Sequence, residues 1–459
     1  MLGMEVPLAS SIDPLDTLRG RVRGRVVGPA DQDFDALRRT FNAMLDRRPA
    51  VIVRPLDTAD VAMAVAWAGE HDLPISVRAG GHSVAGHGVG HDSLMVHLGE
   101  MRSVTVDPAA RTADAAGGAL LEDLDRATTA VGLAAPSGTY LDTGVGGLTL
   151  AGGIGYLLGV AGFACDALIG AELVAADGRV IQVDATREPE LLWALRGGGG
   201  NFGVVTRFRF SLVPLEHVYG GQMRFAGPAV PDVLRLLFEL QTSAAPDALT
   251  LAATVGLDPE HGPVAKLLGA WVGDPADGPG AFAPFRELPG CLGDEIGPMS
   301  YLALQAMFDR MGPTYRHYWK SQFVDSVTPA LQAAILELAA AAPADSGVLI
   351  EPIHGLAHRI PVSHAAFGGR KALANVSALG VWSDPADDAV VIDWARRTTA
   401  AMEPFSLRGG GYLNYAPADE TAKRVEQAFG RESFARLQAL KRRVDPHNRF
   451  RFNANIPPS

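Results

Sequence analysis

The sequence predicts an α+β fold built from a glycine-rich part and a part with longer strands and helices. Glycine is frequent in residues 1–215 and sparser in 216–405, a run of three glycines recurs at 409–411, and the chain ends in a polar, loop-like tail. Strand patterns and helical patterns occur together in both of the first two stretches. We therefore expect one domain over 1–215, a second over 216–405, and a C-terminal segment, 406–459, that folds back onto the first.

The first stretch begins with a strand, a helix and a strand that lead into a glycine-rich loop. A buried strand is predicted over 49–55, a helix over 59–70 with Thr58 as its N-cap, and a strand over 74–77. The remaining predicted elements are strands at 94–98, 104–107 and 112–115, a helix at 120–131, a hairpin of 171–174 and 180–183 around Asp177-Gly178, a helix at 189–195 and a strand at 204–210.

The second stretch alternates strands with longer helical patterns. A strand is predicted over 249–255, and helices over 233–242 and 329–341. The third stretch opens with glycines and then a pair of tyrosines in 411–415. If this segment is extended, Tyr412 and Asn414 lie on one side of it, and Leu413 and Tyr415 on the other.

Composition limits the classes of function. The chain has 459 residues, 47% of them hydrophobic and 20% charged, and a formal net charge of −11, the wrong sign for a nucleic-acid or anionic-membrane partner. The uncharged stretch 143–165 is long enough to span a bilayer, but its glycines disfavour a stable helix. Residues 1–20 lack the apolar core of a signal peptide, and Cys165 and Cys291 are too few for a disulfide framework, so we expect a cytoplasmic protein.

The loop that follows the 74–77 strand carries the first candidate site. It contains Arg78, then Gly80-Gly81 and then His82. Glycine lets backbone N–H groups approach a ligand closely, and an arginine suits an anionic pyrophosphate. A histidine with so little apolar cover favours contact with a ligand, and a surface turn is the alternative. A metal site at His87, His91 and His97 has no supporting cysteine or acidic pattern, so none is predicted.

Other motifs of catalysis and nucleotide binding are absent or incomplete. Gly81-His82-Ser83-Val84 runs into Ala85 rather than completing a G-x-S-x-G nucleophile elbow. Gly153-Ile154-Gly155 lacks a third glycine at the offset of a dinucleotide fingerprint, and no phosphate-binding G-x-x-x-x-G-K-[ST] occurs.

Five motifs follow Arg54-Pro55 in order along the chain. They are Arg78-x-Gly80-Gly81-His82-Ser83, Gly144-Val145-Gly146-Gly147 with Gly152-Gly153-Ile154-Gly155, Leu195-Arg196-Gly197-Gly198-Gly199-Gly200-Asn201-Phe202-Gly203-Val204-Val205-Thr206, Tyr412-x-Asn414-Tyr415, and the tail from Asp445-Pro446-x-Asn448 to Pro458. In this order the chain resembles the FAD-linked oxidases of the vanillyl-alcohol-oxidase (PCMH-type) superfamily, in the berberine-bridge-enzyme-like branch. The resemblance implies a two-part FAD-binding domain and a central substrate domain of antiparallel sheet backed by helices.

The resemblance also implies a covalent cofactor. His82 corresponds to the histidine bonded to the flavin 8α-methyl group. Many relatives add a thioether from a cysteine four residues before Gly144, where this chain has Tyr140, so a single covalent bond is expected. The residues expected around FAD are Arg78, Gly80, Gly81, His82, Ser83, Gly86, Thr143, Gly144, Gly147, Gly153, Gly155, Asp166, Gly203, Val205, Asn414 and Tyr415.

By the same resemblance, a tyrosine takes the proton of a substrate hydroxyl while a hydride passes to the flavin. Tyr415 is the expected base, with Tyr412 second. A phenol of pKa about 10 is about 4 kcal/mol short of ionisation at pH 7, so a nearby cation or hydrogen-bond donor, or a concerted transfer, is needed. Dioxygen is the expected electron acceptor and hydrogen peroxide the product. Thr143 stands where relatives have an aliphatic residue, and its polar side chain bears on oxygen access.

The substrate and several alternatives stay open. Family substrates include sugars, glycosylated polyketides, alkaloids and cyclic amines. Amine oxidation, a dehydrogenase that does not use dioxygen, a non-catalytic flavin-binding protein and a nicotinamide-dependent reductase are the other interpretations. Four residues of the second stretch either line the substrate pocket or belong to core and rim: Tyr315, Tyr318, Trp319 and Lys320.

Overall fold

A small mixed sheet and its helices form the start of the fold. The structure is a computed structural model that describes residues 14–241, 245–308 and 314–459. Its first sheet has the order β1-β2-β4-β3, in which β4 runs parallel to β2 and β3. The elements are α1 Pro14–Arg21, β1 Arg25–Val27, α2 Phe34–Leu37, β2 Val51–Arg54, α3 Thr58–Glu70, β3 Ile75–Arg78 and β4 Leu94–His97.

The predicted cap of α3 is displaced by one residue. Asp57, not Thr58, is the N-cap, and its side chain accepts a hydrogen bond from the Asp60 N–H. The Thr58 hydroxyl instead donates to Glu172 Oε1 at 2.6 Å. Both residue types favour helix starts, so the sequence could not separate the two neighbours.

A five-stranded antiparallel sheet follows, with the order β5-β6-β10-β8-β9. The predicted hairpin around Asp177-Gly178 is its β8–β9 pair. The elements are β5 Val104–Asp107, β6 Thr112–Ala116, α4 Leu121–Thr129, β7 Leu133–Ala134, α5 Val145–Leu150, α6 Leu158–Ala161, β8 Leu168–Val174, β9 Val180–Asp184, α7 Pro189–Leu195, β10 Val204–Ser211 and β11 Val213–Pro214.

The largest sheet is antiparallel and has eight strands in the order β15-β12-β14-β13-β18-β19-β17, with β16 also paired to β12. Helices α8, α11 and α13 pack on it and bury an apolar core that contains Leu237, Ile335 and Trp394. The elements are β12 His217–Ala226, α8 Ala229–Leu240, β13 Leu249–Asp258, β14 Gly262–Trp271, α9 Gly278–Arg286, β15 Cys291–Asp294, β16 Gly297–Ser300, α10 Tyr301–Gln305, β17 Arg316–Val324, α11 Pro329–Ala340, β18 Gly347–Pro352, α12 Leu356–Arg359, β19 Ala374–Trp382 and α13 Asp388–Ala401.

The C-terminal tail packs against the glycine-rich part of the chain. It contains α14 Ala422–Phe429 and α15 Arg431–Val444. Lys441 is fully buried, and its ammonium group donates to the carbonyl oxygens of Asn201 and Phe450 at 2.7 and 2.9 Å and to Asp445 Oδ2 at 2.7 Å. Because a buried charge is costly unless it is paired, this contact fixes the tail on the 197–203 loop.

The expected fold class is confirmed, since the structure is α+β with antiparallel sheets. Among the described residues, no helix is both long enough and apolar enough to cross a bilayer.

The buried carboxyl group of Asp125 joins α4 in the glycine-rich part to α10. Asp125 on α4 is fully buried, and its Oδ2 accepts a hydrogen bond from Gln305 Nε2 at 2.9 Å. The same amide donates to Ser137 Oγ at 2.9 Å. Burial raises the pKa of Asp125 to about 7, and the hydrogen bond from Gln305 opposes part of the shift. The folded protein therefore favours the neutral carboxyl group.

Asp125→Asn should make stability less dependent on pH. The folded-state pKa, about 7, lies above the unfolded value of 3.8, so the contribution of the neutral carboxyl is lost as the pH rises towards 7. We expect the melting temperature of the variant, relative to that of the wild type, to increase between about pH 5 and pH 8. Thermal melts across that range test this, with Asp232→Asn, at a half-exposed aspartate on α8, as control. A difference that stays constant with pH would contradict it.

Candidate active site

A cavity of about 690 Å³ lies between the glycine-rich loops and one face of the eight-stranded sheet. The loop after β3, the segment 138–158, strands β13, β14, β18 and β19, and the tail all contribute to its wall. Gly147 and Gly200 line it, and a Cβ atom at either position would meet no protein atom within 4 Å. Side chains there would take up cavity space, so the glycines leave room for a large ligand such as FAD.

Two loops form the floor of the cavity by direct backbone contact. A Cβ atom on Gly80 would lie 2.5 Å from the Gly144 nitrogen, and one on Gly144 would lie 2.5 Å from the Gly80 nitrogen. Any larger residue would push the loops apart. Arg78 supports this floor from below, because its guanidinium donates to the carbonyl oxygens of Leu37, at 2.7 Å, and Arg39.

His82 projects from this floor into the cavity wall. Its ring stacks on Phe41 with centroids 5.0 Å apart and an interplanar angle of 15°. Nε2 lies 3.0 Å from Asp142 Oδ1, and Nδ1 lies 3.4 Å from the Thr143 hydroxyl. The Tyr140 ring is 6.2 Å away and stacks on Phe308. The ring of His82 is thus contacted on one face and at both nitrogens.

Most of the residues expected around FAD line this cavity. They are Arg78, Gly80, Gly81, His82, Ser83, Thr143, Gly144, Gly147, Gly155, Gly203, Val205, Asn414 and Tyr415, and Tyr412 joins them.

Three of the expected residues lie outside the lining. The Gly86 carbonyl accepts a hydrogen bond from Arg47 at 2.9 Å, and the Gly153 N–H donates to the Tyr412 hydroxyl at 2.9 Å. Asp166 forms a buried ion pair with Arg370, whose Nη1 is 3.0 Å from Asp166 Oδ2. In the structure these residues support the wall from behind.

The tyrosine motif forms a turn rather than an extended segment. Residues Leu413–Tyr415 make a single 3₁₀ turn, so Tyr412 and Tyr415 lie on the same side with ring centroids 4.9 Å apart. The arrangement on opposite sides was expected only for an extended segment, and this segment is a turn. Two-residue alternation does not apply to a turn, which brings residues three apart together.

The hydroxyl oxygen of Tyr412 is occupied by three N–H donors. It accepts hydrogen bonds from the backbone of Gly153 at 2.9 Å and of Ile154 at 3.3 Å, and from Asn414 Nδ2 at 2.8 Å. Burial raises the pKa of this phenol well above its usual range. Tyr412 thus holds the 153–154 segment to the tyrosine turn.

Tyr415 has a different partner. Its hydroxyl donates to Glu351 Oε1 at 3.2 Å, and Asn375 Nδ2 donates to Glu351 Oε2 at 2.8 Å. Burial raises the pKa of Glu351 to about 7 and also raises that of Tyr415 well above its usual value, to which the charge of Glu351 adds. The sequence analysis left open a cation, a hydrogen-bond donor or a concerted transfer for the phenol, and the group beside it in the structure is the carboxyl group of Glu351. The available signal was an acid at the end of the apolar run 348–350.

Aromatic and aliphatic side chains complete the wall around Tyr415. Trp319 meets it edge to face, with centroids 5.4 Å apart. Of the four residues left open between pocket and core, only Trp319 lines the cavity. Tyr315 is exposed, the Tyr318 hydroxyl donates to Asp419 Oδ1 at 3.0 Å, and Lys320 pairs with Glu420 at 2.8 Å. On β17, the cavity face is therefore that of Trp319.

The cysteines and histidines define no second site in the described residues. Cys165 is buried, Cys291 is exposed, and neither lines the cavity. Burial also raises the pKa of the Cys165 thiol. Within residues 14–241, 245–308 and 314–459, no group of three or more possible ligands could hold a metal ion.

Comparisons with known proteins define the class. Residues 49–184 match a family model described as an FAD binding domain, and residues 411–457 match one described as berberine and berberine like. The chain is 32% identical over 458 residues to (R)-6-hydroxynicotine oxidase of Paenarthrobacter nicotinovorans, covering 95% of this chain and 97% of that one. This is an FAD-dependent oxidoreductase.

Solved structures agree with this class. The crystal structure of 6-hydroxy-D-nicotine oxidase from Arthrobacter nicotinovorans superposes with a TM-score of 0.86 at 31% identity, over 95% of this chain and 98% of that chain. BBE-like 1 of Physcomitrella patens shares the fold, with a TM-score of 0.88 at 22% identity over 97% and 99% of the two chains. The chain belongs to the berberine-bridge-enzyme-like family of FAD-linked oxidases.

Tyr412→Phe should cost stability more than catalysis. Removing the oxygen leaves the N–H groups of Gly153 and Ile154 without their buried acceptor, which costs about 1–3 kcal/mol of unfolding free energy. Denaturant unfolding measures the loss. Tyr415→Phe, which removes one hydrogen bond to Glu351, is the matched control and should lose less. Equal stability of the Tyr412→Phe variant and the wild type would contradict this role.

Proposed function

We propose that this enzyme oxidises a hydroxyl-bearing carbon of a small molecule, such as a sugar, a secondary alcohol or a natural-product intermediate. The observation that carries the proposal is the hydrogen bond from the Tyr415 hydroxyl to Glu351 Oε1, 3.2 Å long, inside the cavity. FAD, when bound, accepts the hydride and passes the electrons to dioxygen, giving hydrogen peroxide. The chain's own residues have to bind the substrate and remove its hydroxyl proton.

The Tyr415–Glu351 pair supplies the proton acceptor. A buried phenol alone is a poor base, because burial opposes the phenolate. Glu351, with a pKa of about 7, is partly ionised at neutral pH, which is where a general base works best. Tyr415 takes the substrate proton as it gives its own to Glu351 Oε1. The proton ends on Glu351, whose carboxyl group becomes neutral, and no free phenolate forms.

Tyr412 takes second place in this assignment. Its oxygen already accepts three hydrogen bonds, so a substrate hydroxyl would have to displace one of the donors. Tyr412 then acts by fixing the turn that presents Tyr415. Asn414, which donates to both the Leu148 carbonyl and the Tyr412 oxygen, joins the same support.

The remaining assignments follow the cavity. Residues 1–215 and 406–459 hold FAD through the lining glycines, with one covalent bond to His82, and 216–405 supply the substrate wall. Gly86, Gly153 and Asp166 act through the residues that touch the cofactor. Both cysteines are free thiols, which supports the reducing cytoplasm as the location.

Amine oxidation is the second candidate. The relative that is 32% identical is named for the oxidation of a nicotine derivative, an amine. A neutral amine can lose hydride without a base, and an ionised Glu351 could pair with its protonated form. The two functions differ in how much they depend on Tyr415.

Removing either member of the pair should slow alcohol oxidation. We expect Tyr415→Phe and Glu351→Gln each to lower the rate of flavin reduction by roughly 10²-fold or more, with FAD content unchanged, while Tyr412→Phe does less. The wild-type rate should rise with pH through about 7, as Glu351 ionises, and Glu351→Gln should lose that dependence. Anaerobic stopped-flow measurements with sugars and secondary alcohols test this.

The same variants separate the two functions. Wild-type reduction rates with alcohols in Tyr415→Phe would refute the base assignment. If amines reduce the flavin and Tyr415→Phe leaves that rate unchanged, amine oxidation is the activity.

His82 should carry the flavin as the single covalent link. The denatured protein should give a yellow fluorescent band, and His82→Ala should abolish it. Tyr140 stands at the expected cysteine position and stacks on Phe308 with centroids 5.1 Å apart, so no thiol is available there. Proteolysis and mass spectrometry should find flavin mass only on the His82 peptide. Flavin on a Cys165 or Cys291 peptide would overturn the assignment.

Dioxygen should reoxidise the reduced enzyme with release of hydrogen peroxide. Thr143 lines the cavity beside His82. We expect its branched polar side chain to alter oxygen access there, so Thr143→Ala should change the reoxidation rate, with faster reoxidation as the expected direction. Stopped-flow mixing of reduced enzyme with aerated buffer measures both rates. Reoxidation that takes minutes in the wild type would make the protein a dehydrogenase with another acceptor.

A further inference from the structure

The contact between His82 and Asp142 has a role in building the holoenzyme. We propose that Asp142 positions and activates His82 for its covalent bond to the flavin. The inference rests on the proposed link at His82 and concerns how that link forms. No sequence motif singled out Asp142, which lies two residues before the Gly144-Val145-Gly146-Gly147 motif.

The geometry isolates this carboxylate as the partner of one ring nitrogen. Nε2 of His82 lies 3.0 Å from Asp142 Oδ1, and the two side chains are only 13% and 16% exposed. Phe41 covers one face of the ring, and the Thr143 hydroxyl lies 3.4 Å from Nδ1. In the structure this pair is a close contact between the two atoms, without the N–H of Nε2 aimed at the oxygen.

The position of Asp142 selects a tautomer. A neutral imidazole carries one proton, and the nitrogen without it holds the lone pair. A carboxylate beside Nε2 favours the proton on Nε2, as it does where carboxylates orient histidine ligands, and leaves the lone pair on Nδ1. Nδ1 is then the nucleophile. The negative charge of Asp142, beside Nε2, also stabilises the positive charge that the ring acquires as Nδ1 forms its new bond.

Attachment replaces a C–H bond at the 8α carbon of FAD with a C–N bond to His82. The 8α carbon of FAD gives up one proton, and the Nδ1 electron pair forms the bond to that carbon. The flavin ring keeps the electron pair released from the C–H bond and is thereby reduced. The Nε2 proton, which faces Asp142, leaves the imidazolium, and this proton and the 8α proton end on the reduced flavin. Dioxygen then takes two electrons and two protons from the reduced adduct, which restores oxidised flavin and yields hydrogen peroxide.

A purely structural role for Asp142 makes a different prediction. In that case Asp142→Asn, which keeps shape and hydrogen-bonding capacity, would attach flavin normally or would lose FAD altogether. Activation predicts full FAD content with slow attachment. The readout is therefore the fraction of flavin that stays with the denatured protein, measured beside total bound FAD.

The experiment compares wild type, Asp142→Asn, Asp142→Glu, His82→Ala and, as a charge control, Asp232→Asn at the half-exposed aspartate on α8. Each purified protein is incubated with excess FAD in aerated buffer, and samples are denatured over time for gel fluorescence. We expect attachment in Asp142→Asn to be slowed roughly tenfold or more, with total FAD near the wild-type level. Asp142→Glu should recover part of the rate, and Asp232→Asn should match the wild type.

The outcomes distinguish this inference from the proposed function. A wild type that releases all its flavin on denaturation refutes the covalent link itself. A wild type with a fluorescent band and an Asp142→Asn variant that attaches flavin at the same rate overturns the role of Asp142 alone. If the amide disturbs FAD binding, Asp142→Glu decides: a slowed band at full FAD content supports the role, and loss of bound FAD in this variant as well overturns it.

Discussion

The site depends on one close approach of backbone to backbone, between Gly80 and Gly144. No side chain fits between these residues, because a Cβ atom on either would lie 2.5 Å from the other's nitrogen. The contact joins two loops that lie more than sixty residues apart in sequence. It sets His82, two residues after Gly80, beside the pair that precedes Gly144, namely Asp142 and Thr143. The chemistry proposed for the cofactor link therefore follows from a steric requirement at two glycines.

A buried amide connects this floor to the eight-stranded sheet. Asn42 Nδ2 donates to the carbonyl oxygens of Val84 and His317, each at 2.8 Å, and its Oδ1 accepts from the His317 N–H at 3.0 Å. Val84 lies in the His82 loop, and His317 lies on β17 two residues before Trp319. The loop that holds His82 and the strand that supports Tyr415 are thus held by one side chain. The loop proposed to attach the cofactor and the strand proposed to form part of the substrate wall are therefore held at a fixed distance by Asn42.

Local elements were predictable from the sequence, whereas the contacts that make the site were not. Helix 189–195 and the 171–183 hairpin follow from patterns within a few residues, and the structure confirms both. The Tyr415–Glu351 and His82–Asp142 contacts join residues at least sixty positions apart. The sequence could not identify Glu351 as the partner of Tyr415, because both the contact and the raised pKa of Glu351 depend on its burial in the folded protein. The turn at 413–415 could not be distinguished from an extended segment, because a five-residue pattern fits both equally well.

In the proposed mechanism, the proton on the buried carboxyl group of Glu351 affects both stability and activity. The group has a folded-state pKa of about 7, above its unfolded value of 4.5, so the neutral carboxyl stabilises the fold at low pH and that contribution is lost as the pH rises towards 7. Proton transfer through Tyr415 needs the opposite form, the carboxylate. Two hydrogen bonds oppose the effect of burial on the pKa of Glu351. Asn375 Nδ2 donates to Oε2 at 2.8 Å and the Tyr415 hydroxyl donates to Oε1, and both favour ionisation. If Tyr415 and Glu351 act as proposed, the enzyme is most competent as a base at the pH where Glu351 contributes least to folding, a trade-off common at functional sites.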